Sequence, residues 1–176
     1  KLFLVDGHSL CYRAFYAIPN LTNSRGEPTN AIYGFVTMMR KLMEDQKPDL
    51  VAVCFDRKEP TFRHEQYKEY KAHRKPMPEE LVSQIEPIKE FCRLSNWAVF
   101  EKAGYEADDV IGTLALRGKK EGHPVFIITG DKDAFQLVDE KVKILQPHKE
   151  NLVYDAEKVR ERFGGLGPEK VTDILA

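Results

Sequence analysis

Acidic side chains recur in this 176-residue chain at places where they could converge. Three short apolar runs each stop at an aspartate: Leu2–Val5 at Asp6, Leu50–Phe55 at Asp56, and Val125–Ile128 at Asp131, just past Thr129 and Gly130. Asp133 follows closely, and Glu106-Ala107-Asp108-Asp109 opens a helical pattern. In an open parallel sheet, ligands gather at the carboxyl ends of strands. Asp6, Asp56, Glu106, Asp108, Asp109, Asp131 and Asp133 are therefore placed to face one edge. Packed carboxylates raise one another's pKa or take up a cation. Oxygen donors without His or Cys at ligand spacing favour Mg²⁺, with Mn²⁺ as a substitute. Two such ions suit phosphodiester hydrolysis, one activating water and the other stabilising the leaving oxygen.

Each acid also has a plainer reading. An aspartate after a strand caps a helix or closes a turn. Glu106, Asp108 and Asp109 fit a helix start, where acids favour the macrodipole. On a helical wheel Glu106 and Asp108 lie about 200° apart, so they converge only if the helix begins right there. Caps and metal ligands both remain open from these residues taken singly. The coincidence at three strand ends carries the metal reading, and by itself it leaves a metal site and a set of caps evenly matched.

A second chemical feature follows Asp56. Arg57 to Lys75 carries seven Lys/Arg (Arg57, Lys58, Arg63, Lys68, Lys71, Arg74, Lys75) against three Glu, with Phe62, Tyr67 and Tyr70 interleaved. A charge run is commonly a solvated face. Its place directly after a strand-end acid favours function, because Lys and Arg neutralise phosphates and aromatic rings stack on unpaired bases. Long connections in compact domains also tend to be functional. The histidines show no metal-ligand spacing. Gly7-His8-Ser9 lacks the Gly-x-Ser-x-Gly of a nucleophile elbow, and Gly118–Gly122 lacks the ending of a phosphate loop.

The elements that must position these groups read as alternating strands and helices. Trp97–Phe100 and Val142–Leu145 add two weaker strands. Apolar residues at spacings of three and four predict helices over Thr29–Glu44, Glu79–Leu94 and Ala107–Lys120. The pattern predicts an α/β fold, a mainly parallel sheet covered by helices on both faces. With 42% hydrophobic residues the chain can bury a real core. Its 27 Lys+Arg nearly balance 28 Asp+Glu, which leaves room for an acidic site beneath a basic cover. The longest apolar run is six residues, so no membrane span is expected. Cys11, Cys54 and Cys92 read as core thiols in a reducing compartment, and no signal peptide is expected.

Several stretches together resemble the 5′-nuclease domain of bacterial DNA polymerase I and stand-alone 5′–3′ exonucleases of the flap-endonuclease family. They are LVDGHSLCYRAFYA from Leu4, LTNSRGEPTNAIYGF from Leu21, VCFDRKEPTFRHEQYKEY from Val53, YKAHRKPMP from Tyr70, GYEADDVIG from Gly104 and IITGDKDAFQL from Ile127. The resemblance implies a PIN-like (resolvase-like) catalytic domain over residues 1–162. It implies two divalent ions on the seven acids, and a basic arch over about 57–77 that passes a single-stranded 5′ end. Lys71 and Arg74 match residues that contact the scissile phosphate, and Tyr70 matches a base-stacking position. Arg25, Arg63 and Lys75 join Tyr70, Lys71 and Arg74 as expected DNA contacts. The implied substrates are DNA with a 5′ flap or a branched or duplex–single-strand junction, and RNA primers on DNA, met in replication and repair. A monomer in the bacterial cytoplasm, associated with the nucleoid, is expected, with a polymerase domain following or absent.

Residues 163–176 resemble the start of a helix–three-turn–helix DNA-binding module whose next motif, Gly-Asp-x-x-Asp-Asn, is not in the sequence. A truncated module is accordingly the expectation, and whether the chain itself is a fragment stays open. A branched-DNA-binding fragment without activity is the alternative, and a phosphoacceptor signalling domain a remote one.

Overall fold

The computed structural model describes residues 1–67, 69–70, 75–147 and 152–175. The chain starts with β1 (Leu2–Asp6), α1 (Gly7–Ala17), α2 (Asn30–Gln46) and β2 (Leu50–Cys54). Next come α3 (Phe62–Gln66), α4 (Glu79–Leu94), β3 (Ala98–Phe100), α5 (Ala107–Lys120) and β4 (Val125–Ile128). After β5 (Val142–Gln146) and β6 (Leu152–Tyr154) it ends in α6 (Ala156–Arg162) and α7 (Val171–Leu175). Short 3₁₀ turns occupy Asp133–Leu137 and Pro168–Lys170.

Among the described residues the strands form one sheet in the order β3-β2-β1-β4-β5-β6. All neighbours are parallel except β5 and β6. Strand alternation divides the core into two layers. Phe3, Val5, Val53 and Phe55 pack with α1, α2 and α4, while Leu4, Ala52, Cys54 and Ile127 pack with α5 and the C-terminal helices. All five expected strands form, and the three expected helices appear as α2, α4 and α5. The periodicity did not reveal α1, α3, β6, α6 and α7. They are short, or, like α1, begin on a glycine among aromatics.

From β1 the chain moves towards β2, and from β4 it moves towards β5. The two connections diverge, so a crevice opens at the carboxyl ends of β1 and β4, where open α/β sheets bind ligands. Close packing fixes its floor. A Cβ on Gly7 would stand 2.5 Å from the Phe55 ring, so only glycine lets α1 start against the exit of β2. Beyond α6, Phe163 meets the Phe135 ring edge-on, and Pro168 and Val171 are buried against the same layer.

A buried polar side chain joins the helices of the other face. Gln84 of α4 accepts from the Ala31 and Ile32 amides at 2.8 and 3.1 Å, so it caps α2 from across the core. Its amide donates to Asn30 Oδ1 and the Glu80 carbonyl. Gln84→Leu leaves both α2 amides buried without an acceptor and is expected to cost about 2–3 kcal/mol. Urea denaturation measures this, and an unchanged midpoint would mean that another group satisfies those amides.

Candidate active site

An open cavity of about 1030 Å³ lies at the carboxyl edge, and Asp6, Asp56, Glu106, Asp108, Asp131 and Asp133 all line it. Three helical N-termini meet there, and the acids cap them. Asp6 ends β1 and accepts from the Ser9 amide of α1 at 3.0 Å. Asp56 accepts from the Ala107 amide of α5 at 2.6 Å, a cap supplied from another strand. Asp131 accepts from the Asp133 amide at 3.0 Å where the 3₁₀ turn begins. Capping and gathering at one cavity are thus not alternatives. Helix ends aimed at the edge hold the carboxylates there. Glu106 is the residue immediately before α5, so the condition for Glu106 and Asp108 to converge is met.

Hydrogen bonds run along the floor. Thr129 donates from Oγ1 to Asp6 Oδ2 at 2.9 Å and accepts from the Asp131 amide at 3.0 Å. The Gly130 amide donates to Ser9 Oγ at 3.2 Å. Together they lock the end of β4 to the end of β1. Asp6 is only 8% exposed. Burial raises its pKa from 3.8 to about 6, opposed by the Ser9 and Thr129 bonds and aided by the negative charges of Asp56 and Asp131.

Four of the expected site residues, Arg63 with Asp109 and Tyr70 with Glu106, are partnered with each other. Asp109 does not line the cavity; it accepts both fork nitrogens of Arg63 at 2.7 Å and the Glu106 amide at 3.0 Å. Tyr70 lines the cavity and donates from its hydroxyl to Glu106 Oε2 at 3.2 Å. Arg25 lies away from the cavity in the turn between α1 and α2, 3.6 Å from Glu27. Lys75 is exposed. Lys71 and Arg74 lie outside the described residues.

Sequence reasoning missed several groups of the cavity wall, His8, Ser9, Tyr12, Arg13, Lys89 and Glu101 among them. His8 accepts the Asp56 amide at Nδ1, 3.0 Å away, and burial lowers its pKa. The position of His8 in the first turn after Asp6 was a signal; ligand spacing was the wrong test for it. Lys89 is buried and bonded to Glu101 at 2.5 Å, with its ammonium 5.3 Å from the centre of the Phe55 ring. All three cysteines are free and buried, and burial pushes the Cys54 and Cys92 thiols up to about 12.

Among the described residues, no three His, Cys, Asp or Glu side chains are drawn close enough to enclose one ion by themselves. The donor chemistry still fits a hard cation. Mg²⁺ keeps several waters and binds proteins through one or two carboxylates. An open cavity edged by oxygen donors leaves space for those waters.

With this geometry in place, comparison with known proteins defines the class. The chain matches the model of the 5′-3′ exonuclease, N-terminal resolvase-like domain, over residues 1–164, and it belongs to that family. It is 47% identical over 169 residues to DNA polymerase I of Caldicellulosiruptor bescii, covering 93% of this chain and 20% of that protein. It is 45% identical over 176 residues to the thermostable DNA polymerase I of Thermus thermophilus, covering 100% of this chain and 21% of that protein. The chain thus spans about a fifth of the length of these relatives. In structure it resembles the bacteriophage T5 D15 protein co-crystallised with metal ions. The TM-score is 0.76 at 22% identity, over 97% of this chain and 62% of that one. The fold is therefore PIN-like, as the family resemblance implied, and its mainly parallel sheet is the one the sequence pattern predicted.

Proposed function

We propose that this chain is a divalent-metal-dependent, structure-specific 5′ nuclease that hydrolyses phosphodiester bonds at 5′ flaps and 5′ ends of DNA. RNA primers paired to DNA belong to the same substrate class. The observation that carries the reading is the single cavity at the β1/β4 crevice, into which strand ends and the start of α5 bring six carboxylates. Family membership supports it, as does the likeness in fold to the T5 D15 protein, co-crystallised with metal ions and, as a variant, in a pseudo-enzyme-product complex with DNA and metal ions.

Asp6, Asp56, Glu106, Asp108, Asp131 and Asp133 would hold two Mg²⁺ ions directly or through water, with Mn²⁺ as substitute and Asp109 behind them. Bound ions supply the positive charge that activates water and offsets charge on the phosphate and the leaving oxygen. The chain's own groups set the stage. The Thr129 and Ser9 bonds keep Asp6 and Asp131 at fixed separation. His8 and the α5 terminus hold Asp56 from two sides. Tyr70 lies against Glu106 at the cavity wall, where a base can stack. Lys71 and Arg74 are assigned to the scissile phosphate, and Arg25 and Lys75 to the flanking DNA. Residues 1–162 form the catalytic unit in this reading. Phe163 onwards begins a duplex-binding module in the same reading.

The test is cleavage of a 5′-flap DNA labelled at both ends, with Mg²⁺, Mn²⁺ or EDTA. Cuts near the flap junction with either metal, and none with EDTA, are expected. Tight binding of the flap with no cutting in either metal would favour a branched-DNA-binding module over a nuclease.

A further inference from the structure

Among the described residues, Arg63 is one of the groups that join the base of the basic segment to the start of the acid-bearing helix, beside the Tyr70 hydroxyl on Glu106 Oε2. Arg63 of α3 donates from Nη1 and Nη2 to the two oxygens of Asp109, each at 2.7 Å. The same Nη1 stands 3.7 Å from Glu106 Oε2. The guanidinium lies 4.6 Å from the centre of the Phe62 ring. Beside it the Phe62 amide donates to the Gly104 carbonyl at 2.9 Å, and the Phe62 and Tyr105 rings pack 5.6 Å apart. A planar fork on a carboxylate is the geometry that arginine alone offers among cationic side chains. The pair is partly desolvated: the side chains of Arg63, Glu106 and Asp109 are 32%, 13% and 22% exposed.

These contacts sit where the chemistry needs positive charge of another kind. Glu106 lines the cavity, and its carboxylate cannot give full attraction both to a guanidinium on one side and to a divalent ion on the other. Two cations sharing one carboxylate repel each other, and partial burial strengthens that repulsion over its value in water. Sequence marked Arg63 as a DNA contact; in the structure its fork is occupied by Asp109.

We propose that Arg63 is a positioning residue. It acts as the resident counter-ion of Glu106 and Asp109, and it couples the base of the basic segment to ion occupancy. This rests on the metal reading above. Coupling of two binding events is reciprocal. If divalent-ion binding at Glu106 weakens the Arg63 clamp, then removal of the clamp strengthens ion binding. The same removal loosens α3 from the start of α5, leaving the Phe62 contacts with Gly104 and Tyr105 to place α3 beside it. The variant therefore gains on one measurement and loses on the other.

The test compares the whole chain as wild type, Arg63→Ala and Arg63→Gln. Mn²⁺ binding without DNA is followed by the paramagnetic resonance of free Mn²⁺, and flap cleavage is measured on the same preparations. Arg63→Ala is expected to bind Mn²⁺ about five- to tenfold more tightly, the lower range of known coupling factors, and to cut at least about tenfold more slowly. Arg63→Gln keeps the length and a hydrogen-bond donor but removes the charge. It is expected to share the tighter binding even if Arg63→Ala fails to fold, as circular dichroism will show. Unchanged or weaker Mn²⁺ binding in Arg63→Gln would make Arg63 a merely structural residue and overturn the proposal. Tighter binding with undiminished cutting would overturn its positioning role. A wild type that neither binds Mn²⁺ nor cuts would instead sink the metal reading itself.

Discussion

Asp6→Asn is expected to make the metal-free protein more stable at pH 7 and to abolish its cleavage. Asp6 is buried with its pKa raised to about 6 by loss of solvent, helped by the neighbouring Asp56 and Asp131. The folded state therefore holds a proton that the unfolded chain, with a pKa near 3.8, has released. The unfolded state binds fewer protons in that interval, so stability falls as pH rises. The contribution is complete below about pH 4 and lost as pH passes about 6. A shift of that size corresponds to about 3 kcal/mol, and the site is too buried for much screening. Asparagine carries no such ionisation, accepts from Ser9 equally well and is as good a helix cap. Part of the gain is offset because its amide replaces the oxygen that accepts from Thr129. A net gain of about 1–2 kcal/mol at pH 7 remains after that loss of a hydrogen bond.

Thermal melts of the metal-free protein from pH 4 to 8 give the test. The wild type should lose stability over pH 4–6 and recover it on adding Mg²⁺, while the variant loses less over that range and gains less from the ion. Cleavage should fall by about 10²–10³-fold or more, the scale for removing one preorganised charge from a reacting site. A variant that melts in parallel with wild type across that range would mean that Asp6 does not carry the buried charge. One that still cuts would remove it from the site.

Asp131→Asn is the second large effect, with a different signature. Asp131 lies beyond β4 and lines the cavity, and its oxygen accepts from the Asp133 amide, which asparagine also does. Its own amide bonds to Thr129 Oγ1 and is untouched by the change. Folding should be indifferent, with a melting temperature within about 2 °C of wild type, as for a surface change of under ~0.5 kcal/mol. Cleavage should fall at least about 10²–10³-fold, because a neutral amide gives a hard cation far less than a carboxylate. Titrating Mg²⁺ separates two origins. Recovery at high Mg²⁺ would place the loss in ion affinity, and no recovery would place it in the chemical step. Full activity at ordinary Mg²⁺ would remove Asp131 from the site.

What the sequence alone determined is what local patterns encode. Apolar runs of four to six residues, bounded by turn formers, marked the parallel strands. Spacings of three and four marked α2, α4 and α5. Because strands in such a sheet run the same way, acids that follow them must fall on one edge, and so Asp6, Asp56 and Asp131 were legible as a group. The motifs GYEADDVIG and TGDKDAFQL then carried the family. Partnering across the chain was not legible, because it depends on residues tens of positions apart meeting through the packed sheet. Gln84 caps α2 from α4, Asp56 caps α5, His8 holds the Asp56 amide, and Thr129 joins Asp6 to Asp131. Asp109 and Arg63 show the same limit from the other side. As letters they are one metal ligand and one DNA contact. Only the approach of α3 to the start of α5 turns them into a pair, since a fork and a carboxylate that meet in a half-buried place satisfy each other.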